Sequence, residues 1–173
     1  REIFIDLSNL YSVTFSSASR IAEAVNNLKK IRPSLTVTSY SNSYTKGAFI
    51  IANACDKIVL HPLGNLNFKG MSLSNIYLKD ALENFGIKPL VIKAGSYKSA
   101  VEPLTSNSMS DEVKEEYTGI VNGLWEEYLS ELPNKNERNK LSALFSNEQK
   151  YLDLLAKFDG DEAKLLNECQ VVD

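Results

Sequence analysis

Residues 95–104 read Gly-Ser-Tyr-Lys-Ser-Ala-Val-Glu-Pro-Leu, which sets Lys98 among small and uncharged side chains directly after the apolar run 88–94. A lysine there is either a solvated surface residue or a working amine. To act as a general base it must be neutral, so its pKa has to fall by several units from about 10.4. A dry pocket with no carboxylate partner has that effect. Gly95, Ser96, Tyr97, Ser99, Ala100 and Val101 are compatible with such a pocket. Glu102 lies four residues on and would cancel the effect if it turned toward the amine. A serine–lysine dyad is attractive because it needs no histidine.

Other chemistries fit less well. A phosphate-binding loop requires Gly immediately before Lys-Ser, with another Gly five residues earlier. Tyr97 occupies the first of those positions. A Ser-His-Asp triad would have to use His61, the single histidine, and no Gly-x-Ser-x-Gly elbow accompanies it. His61 therefore reads as structural. Cys55 stands in an apolar stretch and reads as a buried thiol rather than a nucleophile. With Cys169 it makes only two cysteines, too few for a disulfide framework, although one bridge stays open. One histidine and no clustered Cys-x-x-Cys exclude the usual zinc sites.

The 173 residues suffice for one domain with a real core. Hydrophobic residues make up 43% and charged residues 24%, an ordinary globular balance. A net charge of −3 argues against a nucleic-acid partner. The nearest approach to a basic cluster, Lys135, Arg138 and Lys140, is interrupted by Glu137 and reads as solvated loop. No segment approaches about 18 uninterrupted apolar residues, because Asp56 and Lys57 break the best candidate. The chain opens at Arg1 directly in an apolar run, with no leader pattern, as a piece of a longer protein would.

The elements that must position Lys98 alternate between the two periodicities. Residues 3–7 suggest a short, buried parallel strand. From Ser19 onward Ile21, Val25, Leu28 and Ile31 recur at helical spacing up to Pro33. Residues 35–40 read as a second strand, 45–55 as a buried helix, and 57–61 as a strand ended by Pro62 and Gly64. Ile76, Ala81, Leu82 and Phe85 mark a helix with Gly86 as its C-terminal cap. Residues 88–94 would be the next strand. Ser110 caps a long helix carrying Val113, Tyr117, Ile120, Val121, Leu124, Trp125 and Tyr128 inward. Helices over roughly 147–158 and 161–168, divided at Asp159-Gly160, and a short closing strand complete the chain. This alternation predicts an α/β fold with a largely parallel sheet. Functional loops then belong at the carboxyl ends of strands, here Ser8–Ser17, Ser41–Lys46 and Gly95–Pro103.

Taken together, Gly-Ser-Tyr-Lys-Ser-Ala-Val-Glu-Pro-Leu, the following MSDEVKEEYTGIVNGLWEEYL, and YTKGAFIIANACDKIVLHPLGNLNFKG upstream resemble the amino-terminal half of the long-form signal peptide peptidase A enzymes. These belong to the Ser–Lys proteases of peptidase family S49. IFIDLSN and LLNECQVVD fit as well, so the resemblance covers essentially the whole chain. It implies a crotonase/ClpP-like α/β domain over residues 1–173, with a core over about 1–109 and a helical extension over about 110–173. It further implies a membrane-anchored bacterial protease of the inner membrane, with this domain on the periplasmic side. Such an enzyme degrades cleaved signal peptides, forms homo-oligomers and needs neither metal nor cofactor. By the match, Lys98 is the general base, and the nucleophilic serine comes from the carboxy-terminal copy of the domain.

The departures from the family's catalytic copy bear on that division of labour. Where that copy has its serine, in Ser-Gly-Gly-Tyr, this chain has Lys46-Gly47-Ala48-Phe49. Its glycine-rich loop after the first strand is replaced by Ser8-Asn9-Leu10-Tyr11, and the stretch that would hold the lysine's amine reads Asn67-Phe68-Lys69-Gly70. The base is present and the nucleophile is not. Lys46 itself reads better as a structural lysine than as a second active amine. Phe68, Met71 and Leu73 could line a groove for apolar side chains, though core or subunit contact is the preferred reading. Two rival functions remain: a catalytically silent assembly domain of the same protease, and a crotonase-type acyl-CoA enzyme. The second would want glycine-rich oxyanion loops and basic residues for the CoA phosphates.

Overall fold

The computed structural model describes residues 1–91 and 101–173. They form two compact units, Arg1–Gly70 with Glu126–Asp173, and Met71–Trp125.

The first unit is built on three parallel strands in the order β1 (Glu2–Asp6), β2 (Thr36–Tyr44) and β3 (Lys57–Leu66). Two crossover helices connect them: α1 (Phe15–Ile31) and α2 (Lys46–Asn53). This is the expected α/β class, with a sheet and flanking helices of the ClpP/crotonase kind. Helix α2 is buried from Gly47 to Asn53, as its run of small and apolar residues requires. Around it Tyr44, Phe49, Phe68 and Tyr128 form a chain of edge-on aromatic contacts with centroids 5.6–5.9 Å apart. Such pairs add about 0.5–1.5 kcal/mol each beyond the area they bury.

Several boundaries differ from those read in the sequence. β1 is not buried: its residues alternate between exposed and half-buried, and Phe4, 62% exposed, stacks on Tyr40. Helix α1 starts at Phe15, four residues early, with Thr14 accepting from the Ser17 amide. It buries Ala18, Ala22 and Val25, while Ile21 and Ile31 stay exposed, because small residues let it lie close against α2. β2 runs on to Tyr44, so most of Ser41–Lys46 is strand rather than loop.

Nor do Pro62 and Gly64 end β3; they interrupt it. Ser41 pairs with Leu60 but Ser43 with Asn65, and the Ser41 hydroxyl spans the irregularity by donating to the Ser43 carbonyl at 2.7 Å. A Cβ at Gly64 would lie 2.6 Å from the Asn42 carbonyl oxygen, so only glycine permits this approach. The closing segment forms no strand, yet the Asp173 amide donates to the Ile58 carbonyl at 2.8 Å and its carboxylate accepts from the Ile58 amide at 2.7 Å. It thereby covers the start of the β3 edge.

The supposed basic loop is a helix, α6 in chain order (Lys135–Leu144). Arg138 donates to the carbonyls of Ser130 and Leu132 at 2.9 and 2.8 Å, and Lys140 pairs with Glu137 at 2.9 Å. Arg138 thus serves carbonyls at a helix end, where they are left in need of donors. Helices α7 (Glu148–Ala156) and α8 (Glu162–Glu168) follow as expected, with Asp159 and Gly160 at φ 54° and 82° between them.

The second unit contains α3 (Lys79–Asn84), the short α4 (Glu102–Thr105) and the start of α5 (Asp111–Glu131). Gly86 closes α3 at φ 70°, with the Ile87 amide returning to the Leu82 carbonyl at 2.8 Å. Ile76 lies before the helix and is exposed. Residues 88–91 form no strand, and the rest of that expected strand lies outside the described residues. Of the stripe expected to face inward from α5, Val113 and Tyr128 are buried, whereas Ile120 and Leu124 are about half exposed. The two ends of this helix belong to different units.

Candidate active site

Lys98 itself lies outside the described residues. The described residues that bear on the candidate site are, in the first unit, the carboxyl ends of β1 and β2, where a parallel sheet presents its loops, and, in the second, the segment that follows Lys98 in sequence.

After β1 the Leu7 amide continues the ladder to the Tyr40 carbonyl at 2.8 Å. The chain then turns sharply: the Ser8 amide donates to the Asp6 carboxylate at 2.9 Å and the Leu10 amide to the Leu7 carbonyl at 3.0 Å. Both amides are committed internally and do not point outward as an oxyanion site requires.

Beside this turn stands the amino terminus of α2. Thr45 caps it, accepting from the Ala48 amide at 3.3 Å, and Lys46 is its first residue. The Lys46 carbonyl accepts from the Tyr128 hydroxyl at 3.3 Å. A Cβ on Gly47 would fall 2.4 Å from Val13 Cγ1 and 2.9 Å from the Val13 carbonyl oxygen. Glycine thus lets the helix start press directly on the β1–α1 loop. An ammonium at a helix amino terminus faces the positive end of the dipole. Residue 46 itself carries no hydroxyl, and the Thr45 hydroxyl beside it serves as the cap.

Within the second unit the most informative group is Glu102. The Ser110 hydroxyl donates to one of its carboxylate oxygens at 2.7 Å and the Ser110 amide to the other at 3.3 Å. Ser110 also caps α5, its hydroxyl oxygen accepting from the Val113 amide at 3.4 Å. The carboxylate that could have held Lys98 protonated is engaged at the start of α5. The Ser110 cap was legible in the sequence but this partner was not, since no local spacing rule links residues eight apart.

Residues 27–173 match peptidase family S49. The chain is 28% identical over 160 residues to Protease 4 of Haemophilus influenzae, covering 92% of this chain and 25% of that protein. It is 30% identical over 172 residues to Protease 4 of Salmonella typhi, covering 99% of this chain and 27% of that protein. The chain belongs to peptidase family S49. It spans about a quarter of the length of these relatives.

The surroundings of the other nucleophile candidates argue against each of them. The Cys55 thiol donates to the Ile51 carbonyl at 3.6 Å, and burial holds its pKa above the ordinary thiol value. Both cysteines are free. His61 Nδ1 accepts from the Leu63 amide at 3.0 Å, a turn contact within β3. Phe68 is core, touching Phe49, Tyr128 and Phe145, whereas Leu73 is half exposed. Lys69 ties the Leu66 carbonyl to Glu162, at 2.7 and 2.8 Å, and does not line a site. Among the described residues no group of acidic, Cys and His side chains could hold a metal ion, and no helix is long and apolar enough to cross a membrane.

Proposed function

We propose that this S49 domain is the base-supplying half of a serine–lysine protease that degrades released signal peptides at a bacterial membrane. A serine from another copy of the domain attacks the scissile carbonyl, and its proton passes to the neutral amine of Lys98. The tetrahedral intermediate collapses to an acyl-enzyme as that proton is given to the leaving amine. Water, deprotonated by the same amine, then releases the acid and restores the serine.

The observation that carries this reading is Lys46. It fills the helix-start position of the family's serine, in a chain that keeps the complete Gly-Ser-Tyr-Lys-Ser-Ala-Val-Glu-Pro motif. The committed amides of Ser8 and Leu10 argue in the same direction, as does the engagement of Glu102 by Ser110. Substrate, membrane attachment and assembly into a homo-oligomer follow from the resemblance alone.

The test is Lys98→Ala in the full-length protease. Peptide hydrolysis should fall about 10²–10⁴-fold, the range for loss of a general base, with KM nearly unchanged. Retained activity would favour the assembly-domain reading instead.

A further inference from the structure

Helix α5 is strongly acidic, with seven acidic side chains and one lysine among its 21 residues, in a chain whose net charge is only −3. The lysine, Lys114, is paired with Asp111 at 3.1 Å. Within the second unit Glu112, Glu116, Ile120 and Leu124 follow one another at steps of four, which sets them in one row along the helix. All four are exposed, Ile120 by 46% and Leu124 by 52%. The unit's own contacts lie along the neighbouring row, where Val113 is buried and the Tyr117 hydroxyl accepts from Asn75 Nδ2 at 3.2 Å. Glu126 and Glu127, beyond Leu124, keep the sign negative.

Gly119 and Gly123 stand beside this row. Glycine inside a helix is disfavoured relative to alanine. Among the described residues nothing lies within 4 Å of where a Cβ on either would be. Neither glycine is required by a described contact, and together they leave a shallow trough beside Ile120 and Leu124. A second chain's backbone can come close there. Apolar side chains, an open trough and acidic neighbours thus share one exposed face.

We propose that this face docks the charged end of a released signal peptide. The peptide's basic residues pair with Glu112 and Glu116, and the apolar residues that adjoin them cover Ile120 and Leu124. Charge decides the occupant. A signal peptide joins a positively charged segment directly to an apolar one, which is the complement of two glutamates followed by two aliphatic side chains. A second copy of α5 would bring together two helices of the same strong charge, and opposed like charges select against a partner. An anionic membrane surface or a nucleic acid meets the same repulsion. The identity of the peptide rests on the proposed function, whereas its basic and apolar character is read from the helix.

The test is fluorescence anisotropy of a synthetic peptide, two lysines followed by alternating leucine and alanine, titrated with the full-length protease carrying Lys98→Ala. The label sits on the lysine end and stays there whether or not the peptide is cut. Docking is therefore read independently of hydrolysis, which mass spectrometry of the same mixture reports, and the two readings can fail separately. Saturable binding is expected, with a Kd of about 100 μM or tighter, and added salt should weaken it as it screens the exposed charges. Replacing both glutamates, Glu112→Gln with Glu116→Gln, should weaken binding about fivefold or more. Leu124→Ala should cost about fivefold through lost apolar contact. These positions are exposed, so the variants should fold as the parent does. A control peptide with glutamates in place of the lysines should not bind. No saturable binding, equal binding of the control, or unchanged affinity in either variant would overturn the proposal. So would a smaller oligomer in Leu124→Ala with peptide affinity retained, which would make this face a contact between copies.

Discussion

Whether Lys98 can be a neutral base turns on where one carboxylate points. Glu102 follows Lys98 by four residues, and a glutamate pairing with that amine would hold it protonated and useless as a base. The Ser110 hydroxyl and amide engage both oxygens of Glu102. Glu102→Gln in the full-length protease should therefore leave the acidic limb of the pH–kcat/KM profile where it is. A Glu102 that faced Lys98 would, on substitution, shift that limb to lower pH, because removing a negative neighbour lowers an amine's pKa. Lysine, its motif and the lack of a serine at position 46 were all legible as residue types in a string. The destination of the Glu102 carboxylate was not, because it depends on a contact made across a turn. The same holds for Asn53, whose side-chain carbonyl accepts from the Asn134 amide on a distant stretch of chain.

Element positions were legible wherever one periodicity ran unbroken, as in α2, α7 and α8. They were misread where side chains repair a break. Pro62 and Gly64 read as a strand end, yet the Ser41 hydroxyl and the missing Gly64 Cβ let β3 continue. Gly47 works similarly, and its consequence is measurable. Gly47→Ala should cost about 1–3 kcal/mol by overpacking, seen as a lower urea midpoint with an unchanged slope. Val13→Ala should recover only part of the loss, because the Val13 carbonyl oxygen would still stand 2.9 Å from the new Cβ. A second device links α1 to the sheet. Burial pushes the Asp56 carboxyl up, but the Lys29 ammonium at 2.6 Å and the Val37 amide at 2.8 Å more than reverse this, leaving its pKa below the ordinary carboxylate value. A depressed carboxylate contributes stability above its unfolded pKa and loses it as pH falls through the folded one. Asp56→Asn should therefore lower Tm at neutral pH and converge with the parent chain in acid. The effect should be no more than about 1 kcal/mol, since the pair is partly solvated.

For the whole molecule, the decisive quantity is how much of an active site one such chain contains. It spans about a quarter of its relatives' length, its helix start carries Lys46, and the Ser8 and Leu10 amides of its first loop are bonded internally. A general base without a nucleophile has no covalent step to promote, and a base acting directly on water lacks the stabilised oxyanion on which acyl transfer depends. The isolated chain should therefore hydrolyse an activated peptide ester no faster than its own Lys98→Ala variant, and both should match buffer. The comparison with the variant matters, because exposed lysines can turn over activated esters slowly without any site. Lys46→Ser would not rescue the chain, as the Ser8 and Leu10 amides would stay committed to their internal partners. Clear Lys98-dependent turnover by the unmodified chain would show that the chain holds a complete site, and the division of labour between two domain copies would have to be abandoned.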